Sequence, residues 1–494
     1  MHREKTFFEN FHTYVDHYRG YEDRSIDDLF SEIQEGTAYL TKSDKILILQ
    51  AYEFGKKAHK GQARKTGKPF FTHPLTIVCM MLPYKPDAEL IAATLLHDTI
   101  EDTTTDMEDI EKISPVVAIL VDGATKIGCG GNEEEDIYFT PEQIKFETIR
   151  KILSASQRDI RILFLKIFDR FHNMITISGK NPGGQKRIAE ETKNIYVPLA
   201  KRCGLRSVYH FLQALCMELL EPEKWITLET FLLSREEGMR SESEELQEYL
   251  EQQVWSKKII THSTEFLSPF SISDGEYFQN NGWCATDLVV AEPGDCYAIL
   301  YDIGHREDPN CIQSGKIANF INNPRFSGYS GLHFEVIFRG SRRMKIRIIP
   351  KKTQDSIIAG RTFVELANIY SPVLFRDFDL INEATTSNSE AFMESVTTHI
   401  FAKKIPLHSM VKPVFYMPPG LTMLDAIIYL EPEKFPYIVN IYRNEEKVPL
   451  YALLNHDDII TYTFGDKIML TKESKKDVQS GISEWRLDHL FNKI

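Results

Sequence analysis

Apolar residues recur at helical spacing through the first half of the chain. After Ser43, the residues Leu47, Ala51, Phe54 and Ala58 fall three or four apart, which predicts a helix burying that stripe. Asp87 stands where a capping residue would open a second helix, through Ile91 and Leu95 and on into LLHDTIEDT, Leu95 to Thr103. In QRDIRILFLKIFDRFHNM, the residues Ile160, Leu163, Ile167, Phe171 and Met174 share a face. The helical pattern holds from residue 1 to about 255 and closes on the charged SESEELQEYLEQQVW. Within it, IGCGGNEEEDIYFTPEQ, Ile127 to Gln143, reads as an exposed loop because of its glycines and acidic run. The texture then changes. CATDLVVA, LHFEVIFR and MKIRIIP are short and β-rich, separated by Gly, Pro and Asn. A helical connector reaches about residue 405. Short strands around one helix follow, in VFYMPPGLTMLDAIIYL and YIVNIYRNEEKVPLYALLNHDDIITY.

Length and charge narrow the classes. The 494 residues accommodate about three domains. A net charge of -13 argues against a dedicated nucleic-acid binder and leaves an anionic small substrate open. The cysteines stand singly, at 79, 129, 203, 216, 284, 296 and 311, with no CxxC. That disfavours a disulfide framework or a zinc ribbon and points to a reducing compartment. The start, MHREKTFFENFHTY, has no apolar signal core, and no run approaches the about 18 apolar residues of a membrane span. A soluble cytoplasmic protein without membrane contact is expected.

LLHDTIEDT drives His97, Asp98, Glu101 and Asp102 toward an apolar segment. If the stretch is helical, His97 and Glu101 lie one turn apart, as do Asp98 and Asp102. Buried acids repel one another and lose hydration, and a divalent cation reverses that sign. His73 in FFTHP, before Pro74, and Asp169 in LKIFDRFHNM offer two further ligands. A set of His73, His97, Asp98 and Asp169 suits Mn²⁺, with Mg²⁺, Fe²⁺ and Zn²⁺ left open by ligand chemistry alone. Blander readings stand beside this one. His-Asp pairs are common, His73 before proline fits a helix start, and Asp169 has Arg170 and a nearby lysine as partners.

The ordered set, with AHKGQARKTGKPFFTHPL, ILVDGATKIG, KIFDRFHNM and RIAEETKNIYVPLAKRCGL, resembles the HD phosphohydrolases. More narrowly it resembles the hydrolase domain of the RelA/SpoT homologues, over residues 25 to 205. That resemblance implies one Mn²⁺ on His73, His97, Asp98 and Asp169, with Glu101 and Asp102 positioning or deprotonating the attacking water. It implies (p)ppGpp as substrate, cleaved at its 3′-pyrophosphate. Arg64, Lys65 and Thr66 of ARKTG would contact base and phosphates, with Asn173 and Thr176 beside the nucleoside. His59 and His172 are read as structural, and Tyr196, Pro198 and Arg202 as packing residues.

The second half resembles that family's pyrophosphokinase domain in degenerate form. DCYAILYDIGH and FINNPRFSGYSGLHFEV survive, with Tyr329 and His333 in the guanosine-stacking segment and Gly328 before them. Lys316 to Asn319 replace the expected Arg-Phe-Lys-Asp. Lys345 and Arg347 replace the Glu and Gln of the metal strand. Glu292 follows Asp287-Leu288 where an Arg is expected, and THSTEFLSPFSISDGEYF shows no basic ATP-binding segment. Phosphoryl transfer needs an acidic Mg²⁺ ligand, so an inactive synthetase is expected, with a guanine-nucleotide effector as a further expectation. Residues from 411 to 465 resemble a TGS domain lacking its usual His-bearing segment, which argues against tRNA and ribosome binding. Residues 466 to 494 are too few for the zinc-finger and ACT or RRM modules that often follow.

The expected architecture is multidomain: an all-α HD domain at 1–205 and a helical connector at 206–255, then an α+β synthetase-like domain at 256–360. A second connector at 361–408, a β-grasp TGS-like domain at 409–467 and a tail at 468–494 complete it. Two rivals stay open: an HD hydrolase of another nucleotide, and a ribosome- or partner-binding stringent-response regulator. Oligomeric state is not legible.

Overall fold

The computed structural model describes residues 7–126, 141–266, 284–305, 308–322, 329–340, 342–358, 362–375, 378–385, 389–401, 405–412, 415–455 and 457–493. Residues 127–140 of the loop expected over Ile127–Gln143, Gly328 and residues 267–278 of the missing ATP segment lie outside them, and the loop's expected end, Pro141–Gln143, opens the helix Pro141–Arg158 instead. The chain forms two compact units: residues 1–130 with 155–371, and residues 131–154 with 372–494.

The first unit opens as a helical bundle. Thr41 and Asp44 form a reciprocal capping box on the helix Lys42–Ala58. Its buried face is Ile48, Ala51, Tyr52 and Gly55, whereas Leu47, Phe54 and Ala58 of the expected stripe are only half-buried. The reason is close approach. A Cβ at Gly55 would lie 2.5 Å from Phe71 Cε2 and 3.1 Å from the Leu95 carbonyl oxygen, so the residue without a side chain marks the contact.

Asp87 caps the helix Ala88–Leu96 by accepting from the Leu90 amide at 2.8 Å. That helix ends at Leu96 instead of continuing into the acidic stretch. His97 and Asp98 form a turn, and a short helix resumes at Thr99–Asp102. One turn is kept, because the Asp102 amide donates to the Asp98 carbonyl at 2.9 Å. The helix Arg161–Ile175 is buried on nearly every side, beyond the single face its periodicity shows. Phe164, Phe168 and Phe171 have no exposed surface, and Phe363 stacks on Phe164 with ring centroids 4.6 Å apart. Truncating such a ring to alanine costs about 3–5 kcal/mol. The long helix Pro222–Glu251 then leads to a sheet.

That sheet comprises β1 (Ile259–Phe266), β2 (Cys284–Val290), β3 (Cys311–Asn319), β4 (Leu332–Phe338) and β5 (Arg342–Pro350), in the order β1-β2-β5-β4-β3. β2 and β5 run parallel and the other pairs antiparallel. Leu332, Phe334, Val336, Met344, Ile346 and Ile348 bury one face, against Cys296, Ile299 and Ile303 of the helix Pro293–His305. Period-two alternation puts His333, Glu335, Lys345 and Arg347 on the other.

The second unit holds β6 (Ile405–Ser409), β7 (Phe415–Met417), β8 (Ile438–Arg443), β9 (Glu446–Val448) and β10 (Ile459–Phe464), ordered β7-β6-β10-β8-β9. β6 begins inside the expected connector. The helix Met423–Leu430 fills the sheet's concavity with Leu424, Ile427 and Ile428. The expected tail is folded: the helix Gly481–Lys493 places Leu487, fully buried, in this core. Asp425 fixes its approach by accepting from the Gln479 and Ser480 amides at 3.0 and 3.2 Å. Those amides anchor the segment together with the apolar stripe of Leu487, Leu490 and Phe491. Arg150, on the helix Pro141–Arg158, donates to the Thr385 carbonyl at 2.9 Å and lies 4.5 Å over the Phe392 ring. No helix among the described residues is long and apolar enough to cross a membrane.

Candidate active site

The site forms where three helical segments meet. The helix Thr72–Met81 carries His73 in its first turn, the break after Leu96 presents His97 and Asp98, and the helix Arg161–Ile175 carries Asp169. His73 Nε2 lies 3.5 Å from Asp98 Oδ2 and 3.3 Å from Asp169 Oδ1. His97 Nε2 lies 3.1 Å from Asp98 Oδ1 and 3.9 Å from Asp169 Oδ1. Ligand atoms of His73, His97 and Asp169 fall within 4.8 Å of one another, with Asp98 beside them. The break at His97 is what permits this, because it turns two consecutive side chains into one space.

The donor set fits a divalent ion. His97 Nδ1 donates to the Thr94 carbonyl at 2.8 Å, so Nε2 carries the lone pair. That Nε2 is buried and makes no hydrogen bond. His73 Nδ1 faces His172 Nδ1 at 2.7 Å. With the proton on His73 Nδ1, His73 Nε2 is also free to ligate, and His172 supports the ring from behind. Two imidazole nitrogens and two carboxylates suit Mn²⁺ and other borderline divalent ions.

The electrostatics agree. Burial pushes His97 down, but Asp98 and Asp169 outweigh it and lift the metal-free imidazole to about 9. Burial prevails at His73, which is lowered. Burial tends to raise Asp169, but Lys166 and the two histidines hold it well below the usual carboxylate range. Lys166 is a buried lysine whose Nζ donates to Asp169 Oδ2 at 3.0 Å, while Asn173 Nδ2 donates to Oδ1 at 2.7 Å. The lysine reading for Asp169 is therefore realised together with the clustering. Arg170 is engaged with Glu191 at 2.6 Å and over the Tyr196 ring.

Glu101 and Asp102 differ. Glu101 accepts from the Lys126 amide at 2.8 Å and from Lys126 Nζ at 2.6 Å. The Asp102 carboxyl has no such partner among the described residues. Its pKa is raised by burial and then by Asp98 and Glu101. Gln62 holds its backbone, donating to the Asp102 carbonyl at 2.6 Å.

The ARKTG segment is a closed turn. Arg64 N donates to the Lys68 carbonyl and Gly67 N to the Arg64 carbonyl, both at 2.8 Å, and Gly67 takes φ +80. Arg64 points inward, donating to Glu22 at 2.6 Å and to Thr176 Oγ1 at 3.0 Å. Lys65 and Thr66 are exposed, beside Gly179. Tyr329 and His333 belong to the sheet, where the tyrosine hydroxyl and His333 Nε2 are bonded. Beside them, Arg347 forks onto Asp287, with Nη2 to Oδ2 at 2.7 Å. Lys126, Glu22 and the bond from His73 to His172 escaped sequence reasoning, whereas a lysine partner for Asp169 was among its readings. No local signal in the sequence marks these three.

Residues 51–206 match the family model described as HD domain. The chain is 29% identical over 468 residues to the guanosine-3′,5′-bis(diphosphate) 3′-pyrophosphohydrolase of Aquifex aeolicus, covering 90% of this chain and 64% of that one. It is 27% identical over 391 residues to the protein of that name from Haemophilus influenzae, covering 75% and 56%. It is 26% identical over 446 residues to the GTP pyrophosphokinase of Streptomyces coelicolor, covering 84% and 51%. Among solved structures, small alarmone synthetase 1 from Bacillus subtilis aligns with a TM-score of 0.21 and 14% identity, over 27% of this chain and 76% of that one. The chain thus spans 56% to 64% of the length of the curated relatives that head these matches. With the helical HD domain matched and similarity extending over 90% of the chain, the chain is similar to these guanosine-bis(diphosphate) pyrophosphohydrolases and GTP pyrophosphokinases.

Proposed function

We propose that this chain hydrolyses the 3′-pyrophosphate of guanosine tetra- or pentaphosphate, releasing pyrophosphate and GDP or GTP. The observation that carries the reading is the buried convergence of His73, His97, Asp98 and Asp169. These four would hold one divalent ion, Mn²⁺ in our reading. Bound there, the ion supplies Lewis-acid stabilisation of phosphate charge and a more acidic water. Asp102, whose carboxyl is raised toward neutrality, takes the proton of the attacking water. Glu101, pinned by Lys126, sets its direction. Lys65 and Thr66 present a cation and a hydroxyl to the phosphates from the turn. Arg64, buried and paired, aligns that turn and Thr176. Asn173 holds Asp169 with its amide and offers its remaining face to the nucleoside.

The relatives' names support this substrate, one naming the hydrolase and another the pyrophosphokinase. We read the chain as hydrolase-only, because Lys345 and Arg347 stand where the synthetase strand carries Glu and Gln. In this division residues 1–205 are the hydrolase, 256–360 an inactive synthetase-like regulator open to guanine nucleotide, and 409–467 a TGS-like β-grasp module. The helix against the β6–β10 sheet supports the last assignment.

The test is turnover of both alarmones with Mn²⁺ and with EDTA, beside a panel of other phosphorylated nucleotides. Expected are Mn²⁺-dependent release of pyrophosphate and no tetraphosphate from ATP and GDP. Turnover indifferent to EDTA, or faster on an unrelated nucleotide, removes the reading.

A further inference from the structure

The sheet buries a second cluster of charge, on the face opposite Met344, Ile346 and Ile348. Register places Asp287 of β2 beside Arg347 of β5, and Arg347 beside His333 of β4. The next row holds Ala285, Lys345 and Glu335. Arg347 donates to Asp287 through Nε to Oδ1 and through Nη2 to Oδ2, the second at 2.7 Å. The two side chains are 9% and 15% exposed. His333 bonds the Tyr329 hydroxyl, and Phe320 packs edge-on to His333 with ring centroids 5.0 Å apart.

A synthetase-like sheet implies a divalent ion at its phosphoryl-transfer face, and these residues do not fit one. Such an ion is held by carboxylate oxygens. Here both oxygens of Asp287 are already engaged by one guanidinium, which is planar, permanently charged and matched to a carboxylate in two-point geometry. Two residues along β5, on the same face, Lys345 adds a second positive charge, opposite Glu335. An ion arriving at Asp287 would meet Arg347 and Lys345 as repelling neighbours. It would also displace the buried Arg347 guanidinium from its carboxylate.

We infer that Arg347 stands in the place of the divalent ion on Asp287, so that this sheet carries a fixed internal cation and binds no metal there. The inference deepens the reading of residues 256–360 as an inactive synthetase-like domain. It also gives the loss a direct physical basis: the metal's seat is filled by the protein. Arg347 and Asp287 are then a structural pair that lets a buried carboxylate persist after its metal function has gone.

The test is a Mn²⁺ titration of the full-length chain, with free ion followed by electron paramagnetic resonance. The native chain sets the reference stoichiometry. Asp287→Asn should leave that stoichiometry unchanged, and Lys345→Glu/Arg347→Gln should bind one additional ion per chain. Loss of an ion in Asp287→Asn overturns the inference, as does a folded double variant, checked by circular dichroism, that gains none. If the double variant does not fold, the Asp287→Asn measurement decides. The hydrolase reading is tested separately in the same titration, by loss of one ion in Asp98→Ala. Its failure alters the reference count but not the difference between native and double-variant chains.

Discussion

The helical centre and the charged face of the central strands β2, β5 and β4 both bury carboxylates, and they balance them in opposite ways. In the helical centre, Asp169 has Lys166 and Glu101 has Lys126. Asp98 and Asp102 have no lysine or arginine at ion-pair distance among the described residues, and Asp98 faces two imidazoles. That deficit of positive charge is what a divalent ion would fill. On the sheet, Asp287 meets a guanidinium in full two-point contact and Lys345 stands one row away. The Asp287 carboxylate is already balanced there. Matching buried charge inside the protein favours a stable fold, and leaving it unmatched favours binding.

The largest effect that would break this contrast is at Asp169. Asp169→Ala should abolish both metal binding and hydrolysis, read by metal titration and pyrophosphate release; activity surviving without bound ion would refute the deficit argument. Asp102→Asn should keep the ion and slow turnover by about 10²–10⁴-fold, the range for a lost proton acceptor. An ion lost in that variant would move Asp102 into the ligand set. On the sheet, Arg347→Met should cost about 3–5 kcal/mol in urea unfolding, because it strands the Asp287 charge. Arg347→Met with Asp287→Leu should recover most of that loss, and a cycle with no coupling would show that the pair is not a unit. Smallest of the four, Lys166→Met should weaken metal affinity by about 10–100-fold while leaving the binding stoichiometry intact, the usual size for a residue that orients a ligand.

The clustering of His73, His97-Asp98 and Asp169 was legible because these chemically distinctive residues stand out from apolar helices. The cap at Asp87 was legible because its signal is local. The helix break after Leu96 was not. LLHDTIEDT has no proline or glycine to announce it, and the His97 ring bonds the Thr94 carbonyl three residues back, a contact with no signature in residue type. The partners Lys126 and Glu22 were not legible either, since a surface-type residue reveals its partner only once the chain is folded. The face of the helix Lys42–Ala58 was misjudged because large apolar residues were weighted over small ones, and the contact is made at Gly55. The last helix was taken for a tail because its length was weighed against whole modules, while its short stripe of Leu487, Leu490 and Phe491 went unread.

Gly55 has a further consequence. Its missing methyl group touches Phe71 on one side and the Leu95 carbonyl on the other, and each lies two residues before a candidate ligand, His73 or His97. The position works as a shim of zero thickness between the two segments that carry the imidazoles. A single added carbon would wedge those segments apart and slacken the grip on the ion without touching a ligand. Selection for weaker or faster-exchanging metal thus has a dial well away from the chemistry, and a helix interior otherwise hostile to glycine keeps it at its tightest setting.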